Sequence, residues 1–207
     1  MTLSDFAKKI SWLGHDGFRI ESGITTYFDP FQIKTDVKAD LILITHEHFD
    51  HCSPEDVEKI KGPDTVIITE KDSAKKLAGD ISIMEPGDKL TIKNISVEAV
   101  RAYNIDKAFH PRKNNWLGFI VTIDGHRIYH AGDTDLIPEM SDINVDIALL
   151  PVSGTYVMTA AQAVEAAKII MPELAIPMHF GSIVGDDEDA RYFKEKLEGV
   201  VDVILPD

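Results

Sequence analysis

Cysteine is nearly missing from this 207-residue chain. Cys52 stands alone, so no disulfide can form within it, and a reducing, cytoplasmic setting is expected. Basic residues are also scarce, 21 against 35 acidic ones, for a formal net charge of −14. Nucleic acid and anionic membrane both demand a basic footprint, so neither is an expected partner. No apolar run approaches membrane-spanning length, and Met1-Thr2-Leu3-Ser4-Asp5-Phe6 lacks the apolar core of a signal peptide. No linker rich in Pro, Gly or Ser divides the sequence, so residues 1–207 read as a single domain or one built from two similar halves. Hydrophobic residues make up 44%, enough for a continuous core.

Histidine, by contrast, is concentrated. Thr45-His46-Glu47-His48-Phe49-Asp50-His51 follows the apolar run Leu41-Ile42-Leu43-Ile44 and precedes a helix start. Imidazole nitrogen and carboxylate oxygen suit a borderline divalent ion such as zinc, with manganese or iron as alternatives. A merely solvated, His-rich loop is the weaker reading, because the motif leaves a strand rather than lying in a low-complexity tract. Residues two apart on a strand point the same way, so His46 and His48 are candidates to hold one ion from one side. Asp50 and His51, just past the strand, are candidates for a second. Two ions need about six or seven ligands, so others must come from distant segments. Asp133, freed by Gly132 after a hairpin, and His179, ending an apolar strand, are the remote candidates.

The order of elements gives the architecture. Residues 10–28 read as three short strands with tight turns, an antiparallel meander. Residues 40–44 read as a strand buried on both faces. Ser53-Pro54-Glu55-Asp56 has the pattern of a capped helix, expected to end near Gly62-Pro63. A strand over 65–69, a short helix over 71–78 and a strand over 81–84 follow. Strands return at 90–92 and 95–102, then an irregular loop over 103–115, then a hairpin turning at Asp124-Gly125. A buried strand over 146–152 precedes a helix from Thr159, whose spacing to Gln162 is that of a capping box. A strand over 174–178, a helix over 187–198 and a strand over 201–205 complete the chain. Two such halves, sheets face to face with helices outside, make an α/β (α+β) fold, a four-layer αββα sandwich.

The series His46-x-His48-x-Asp50-His51, Gly132-Asp133-Thr134 and a strand-end His179 resembles the metallo-β-lactamase superfamily over nearly the whole chain. Gly14-His15, Asp29-Pro30-Phe31, Tyr129-His130-Ala131-Gly132-Asp133-Thr134-Asp135 and Leu150-Pro151-Val152 resemble its small generic metal-dependent hydrolases, related to ascorbate-6-phosphate lactonases. The resemblance implies His46 and His48 on a first metal, Asp50, His51 and His179 on a second, and Asp133 bridging the two. One position departs from the pattern. Asn104 stands where the superfamily supplies a third first-site His, so either that metal is held loosely or His110 replaces it. His15 reads as a pocket residue, His126 as an exposed turn residue, His130 as a support for Asp133, and Cys52 as a small buried side chain. His48 occupies the place where oxygen-reducing diiron relatives carry a carboxylate, which argues against redox chemistry. RNA-cleaving relatives add large domains or a basic arm, and this chain has neither.

The expected chemistry is hydrolysis of a small ester, lactone or phosphodiester at one or two divalent ions. Asp50 is the candidate catalytic residue, holding and orienting the water. Arg101, Lys107, Arg112 and Lys113 flank the loop 103–115, where an anionic small molecule could meet one of them; ordinary surface charge is the simpler reading of each. The competing class is a non-catalytic metal-binding scaffold on the same fold, with Asn104 as the feature in its favour.

Overall fold

Two mixed sheets of six and seven strands make up the computed structural model, which describes residues 1–206. The chain opens with α1 (Leu3–Ala7). Then β1 (Ile10–Gly14), β2 (Gly17–Ser22) and β3 (Ile24–Phe28) form the antiparallel meander, and β4 (Ala39–Leu43), β5 (Lys61–Thr69) and β6 (Asp80–Ile83) add to it in parallel. Helices α2 (Pro54–Ile60) and α3 (Lys71–Ala74) lie between those parallel strands. The second half repeats the plan. Strands β7 (Lys89–Ile92), β8 (Ile95–Arg101), β9 (Leu117–Ile123) and β10 (His126–His130) are antiparallel. Strands β11 (Ile147–Pro151), β12 (Leu174–Met178) and β13 (Asp202–Val203) continue in parallel, with α4 (Ala160–Ile170) and α5 (Asp187–Leu197) between them.

Strand alternation explains the layers. In β4, Leu41 and Leu43 face the second sheet and join one core with Phe18, Phe28, Val97 and Phe119. Ile44, just past it, joins Ile42 on the other face, packed with Tyr27, Ile67, Val57 and Ile60 beneath α2. Each such side chain contributes roughly 1.5–3 kcal/mol when fully buried, so a one-residue slip of β4 would exchange both cores.

Local signals explain the ends of elements. The Ser53 side chain accepts from Asp56 N, and Thr159 and Gln162 form the reciprocal capping box. Asp124 and Gly125 turn the β9–β10 hairpin at φ +51 and +83. Some boundaries differ from expectation. Helix α1 forms because Thr2 caps Asp5 N while Phe6 is buried. Helix α2 gives way directly to β5, which carries Gly62 and Pro63, because Thr65 Oγ1 accepts from Gly62 N and donates to Ala39 O across the strands. Helix α3 stops at Ala74, and β13 has only two residues, paired with Leu174 and Ala175. Among the described residues, no helix is long and apolar enough to cross a membrane.

Candidate metal centre

Strand β4 ends at Leu43, so His46 and His48 are not on a strand and the alternation argument for them does not hold. They meet because the loop turns back, with His51 N and Cys52 N both donating to His48 O at 3.1 and 2.8 Å. His46 Nε2 then lies 3.0 Å from His48 Nδ1. Asp29, fully buried and at φ +38 just past β3, pins this loop. Its carboxylate accepts from Thr45 N at 2.8 Å, Thr45 Oγ1 at 2.6 Å and His51 Nδ1 at 2.8 Å. His51 therefore carries its proton on Nδ1 and presents a bare Nε2. The Thr45 hydroxyl, having donated to Asp29, accepts from His46 Nδ1 at 3.0 Å, which leaves His46 Nε2 bare as well.

Asp133 stands between two groups of histidines. Gly132 turns the chain after β10 at φ +61, where an added Cβ would lie 2.7 Å from Leu117 O. Asp133 Oδ2 lies 3.1 Å from His110 Nε2 and 3.3 Å from His179 Nε2; Oδ1 lies 3.3 Å from His51 Nε2. His179, also left-handed at φ +61, is held by Ser153 Oγ at 2.8 Å on Nδ1, and its N–H donates to His15 O. The His130 ring nitrogens bond to Asp16 O and Gly132 N rather than to the Asp133 carboxylate. The ring stacks on Phe28, and those two bonds fix the backbone on both sides of the centre. His126 begins β10 and packs on Phe6 rather than standing free in a turn. Cys52 is buried, as expected.

His110, and not Asn104, gathers with His46 and His48. The loop folds back on itself, with Asn104 N donating to His110 O at 2.7 Å. Asn104 Oδ1 accepts from His110 N at 3.0 Å and faces His110 Nδ1 at 3.1 Å. Its amide nitrogen donates to Tyr156 O and Asp135 Oδ1, which fixes its orientation. Tyr156 O also faces His110 Nδ1, at 3.2 Å, so that nitrogen has only acceptors around it and must carry the proton. His110 Nε2 is left bare beside His46 and His48, and ligand atoms of the three lie within 4.8 Å of one another. Trp116 closes that side, with all three rings within 5.5 Å of it.

The second group comprises Asp50, His51 and His179, with His15 Nε2 3.1 Å from Asp50 Oδ2. Asp16, in the β1–β2 turn, gathers with His51, Asp133 and His179 and was not singled out from the sequence. Burial lowers the basicity of His46 and His48. Burial alone would raise the Asp133 carboxyl, but His179, His51 and His110 hold it well below the usual range. Burial opposes protonation of His179, yet Asp133 and Asp16 lift it to about 9. His51 Nε2, His110 Nε2, His179 Nε2 and Asp133 Oδ1 are all buried with no hydrogen-bond partner. Several imidazole nitrogens aimed at one buried carboxylate without a well-formed hydrogen bond among them are a donor set that fits divalent metal, which would take the lone pairs in place of protons.

Three of the four cations flanking the loop are already engaged. Arg101 donates to Asn115, Lys107 to Asp135 at 2.5 Å and Asp106, and Arg112 to Glu139 while lying over Tyr103; Lys113 is exposed.

A family model described as a beta-lactamase superfamily domain matches residues 9–179. A metal-dependent hydrolase of Archaeoglobus fulgidus is 34% identical over 225 residues, covering 95% of each chain. One from Thermoplasma acidophilum is 35% identical over 217 residues, covering 96% of this chain and 95% of its own. The crystal structure of a Parabacteroides distasonis protein described as a metal-dependent hydrolase is similar at TM-score 0.86 and 36% identity, covering 95% of this chain and 91% of that one.

Proposed function

The chain belongs to the beta-lactamase superfamily and is one of its metal-dependent hydrolases, and from that premise we propose that it cleaves a small, uncharged ester or lactone at a two-ion centre. In this reading His46, His48 and His110 would hold one ion, Asp50, His51 and His179 would hold the other, and Asp133 would serve both. Zinc is the first choice, with manganese or iron as alternatives. The observation that carries the reading is Asp133, whose two carboxylate oxygens are shared between the two histidine groups. When bound, a divalent ion polarises the scissile carbonyl and lowers the pKa of water from about 16 to about 7. Asp50 is the catalytic residue, holding and orienting the water and taking up its proton. His15 fixes one Asp50 oxygen at 3.1 Å, which sets the carboxylate's orientation for that task.

The rim supports an uncharged substrate over a phosphodiester. Of nine phenylalanines, Phe49 and Phe109 stand largely exposed, at 68% and 50%, and each is the sequence neighbour of a proposed ligand. Ile105 is also exposed, while Lys107 and Arg112 are taken by carboxylates. A scaffold would have no use for a buried set of unpartnered donors around an oriented Asp50. We assign the enzyme, as one domain, to the cytoplasm and to small-molecule substrates. Its net charge of −14 disfavours nucleic acid and anionic membrane alike. The test is a panel of aryl esters, lactones and phosphodiesters with and without chelator. Chelator-sensitive turnover of the uncharged compounds, reduced for larger acyl groups in Phe49→Ala, is expected. A clear preference for phosphodiesters would reverse the substrate assignment, and no chelator-sensitive turnover of any compound would favour the scaffold.

A further inference from the structure

Asp16 has no task in the centre as described, yet it is placed with care. It lies in the turn between β1 and β2, after His15 at φ +52, and its carbonyl oxygen is tied to His130 Nε2 at 2.9 Å. The side chain is wholly buried, and neither carboxylate oxygen has a hydrogen-bond partner. His51 Nδ1, 3.8 Å away, already donates to Asp29. A buried carboxylate with no donor is unfavourable, and a neutral carboxyl there would equally lack an acceptor. What converges on it is a set of ligand atoms: those of Asp16, His51, Asp133 and His179 lie within 4.8 Å of one another.

We propose that Asp16 is a further ligand of the second ion, making that position rich in oxygen while the first remains rich in nitrogen. The inference rests on the two-ion reading above. The first position would offer three imidazoles and Asp133. The second would offer two imidazoles and the carboxylates of Asp16, Asp50 and Asp133. Imidazole sets suit zinc, whereas carboxylate sets suit harder ions such as manganese, so the two positions select different metals from a mixture. Three carboxylates at one position also give it the charge to hold a divalent ion firmly in a buried setting.

The experiment uses the metal-stripped full chain and zinc or manganese ions alone. Wild type is expected to take up two ions, and Asp16→Asn to lose at least about tenfold in affinity for one of them while keeping the other. Because the variant can fail for reasons of folding, crystals of zinc-loaded wild type supply the second readout. An Asp16 oxygen about 2.0–2.2 Å from the second ion is expected. Crystals grown with both metals should give manganese anomalous signal at that position and not at the His46–His48–His110 position. An Asp16 oxygen more than about 3 Å from both ions would overturn the proposal, since a coordinated carboxylate lies far closer. So would unchanged affinities in a folded Asp16→Asn, or equal manganese signal at both positions. Wild type that binds no ion at all would sink the two-ion reading along with it; two ions bound without Asp16 would sink this proposal alone.

Discussion

Replacing Asn104 by leucine removes the group that decides which nitrogen of His110 is bare. The substitution keeps the volume but deletes the acceptor for His110 N and for its Nδ1–H, along with the donors to Tyr156 O and Asp135. Asp135 keeps Lys107 and Ile105 N, and Tyr156 O keeps the His110 ring. His110 N is the group left buried and unsatisfied, at a cost of about 1–3 kcal/mol, with roughly 0.5–1.5 kcal/mol more for each lost bond. One unsatisfied group and three further lost bonds sum to about 2.5–7.5 kcal/mol, or on the order of 5–30 °C in the melting temperature of the metal-free chain. The effect on metal is separate. A His110 ring held by Tyr156 O alone should weaken the first ion about 10- to 100-fold and leave the second nearly unchanged. Thermal melts of the stripped protein and competition titration with a chromophoric chelator measure the two effects independently. A lowered melting temperature with first-ion affinity within twofold of wild type would refute the reasoning, because Asn104 would then be structural support and nothing more.

Asp50→Ala should lose about 10²- to 10⁴-fold in kcat while its metal-free melt stays close to wild type; full activity in that variant would remove the assigned role. Gly132→Ala should destabilise the chain by more than about 1 kcal/mol in chemical denaturation, because its φ of +61 disfavours a side chain and the new Cβ would meet Leu117 O. Asp56 gives a pH dependence. Burial alone would raise its carboxyl, but hydrogen bonds from Ser53, Lys59 and Gln32 N hold it below its ordinary value. A lowered folded-state pKa means stability present above the unfolded value and lost as pH falls through the folded one. The stability gap between wild type and Asp56→Asn should therefore be widest near neutrality and close below about pH 4; a gap unchanged down to pH 2 would contradict it.

The fold was readable where a local pattern and the tertiary structure agree. Ser53, Thr159 with Gln162, and Asp124-Gly125 signal their elements through chemistry confined to a few residues. The β4 run was readable because it is buried on both faces. Helix α1 and the early start of β5 depend on single contacts, Phe6 in the core and Thr65 across to Ala39, that leave no periodic trace. At the centre, the six residues His46, His48, Asp50, His51, Asp133 and His179 do come together, although for His46 and His48 the loop does it and not a strand. The sequence alone does not choose between His110 and Asn104, since the choice turns on how the loop 103–115 folds back. Asp16 is hidden for a related reason: it is one acidic residue among 35, set apart by complete burial, while the motif Asp29-Pro30-Phe31 marks Asp29 without revealing its contacts to Thr45 and His51.

The central claim is that hydrolysis depends on two ions held on either side of Asp133. Its most direct test titrates metal-stripped protein with zinc or manganese while bound metal and turnover of an uncharged ester or lactone are followed in the same sample. The account predicts that bound metal saturates at two ions per chain and that turnover climbs with the ions. Turnover that is complete without metal, or metal binding at two ions per chain with no hydrolysis of any panel substrate, would contradict it.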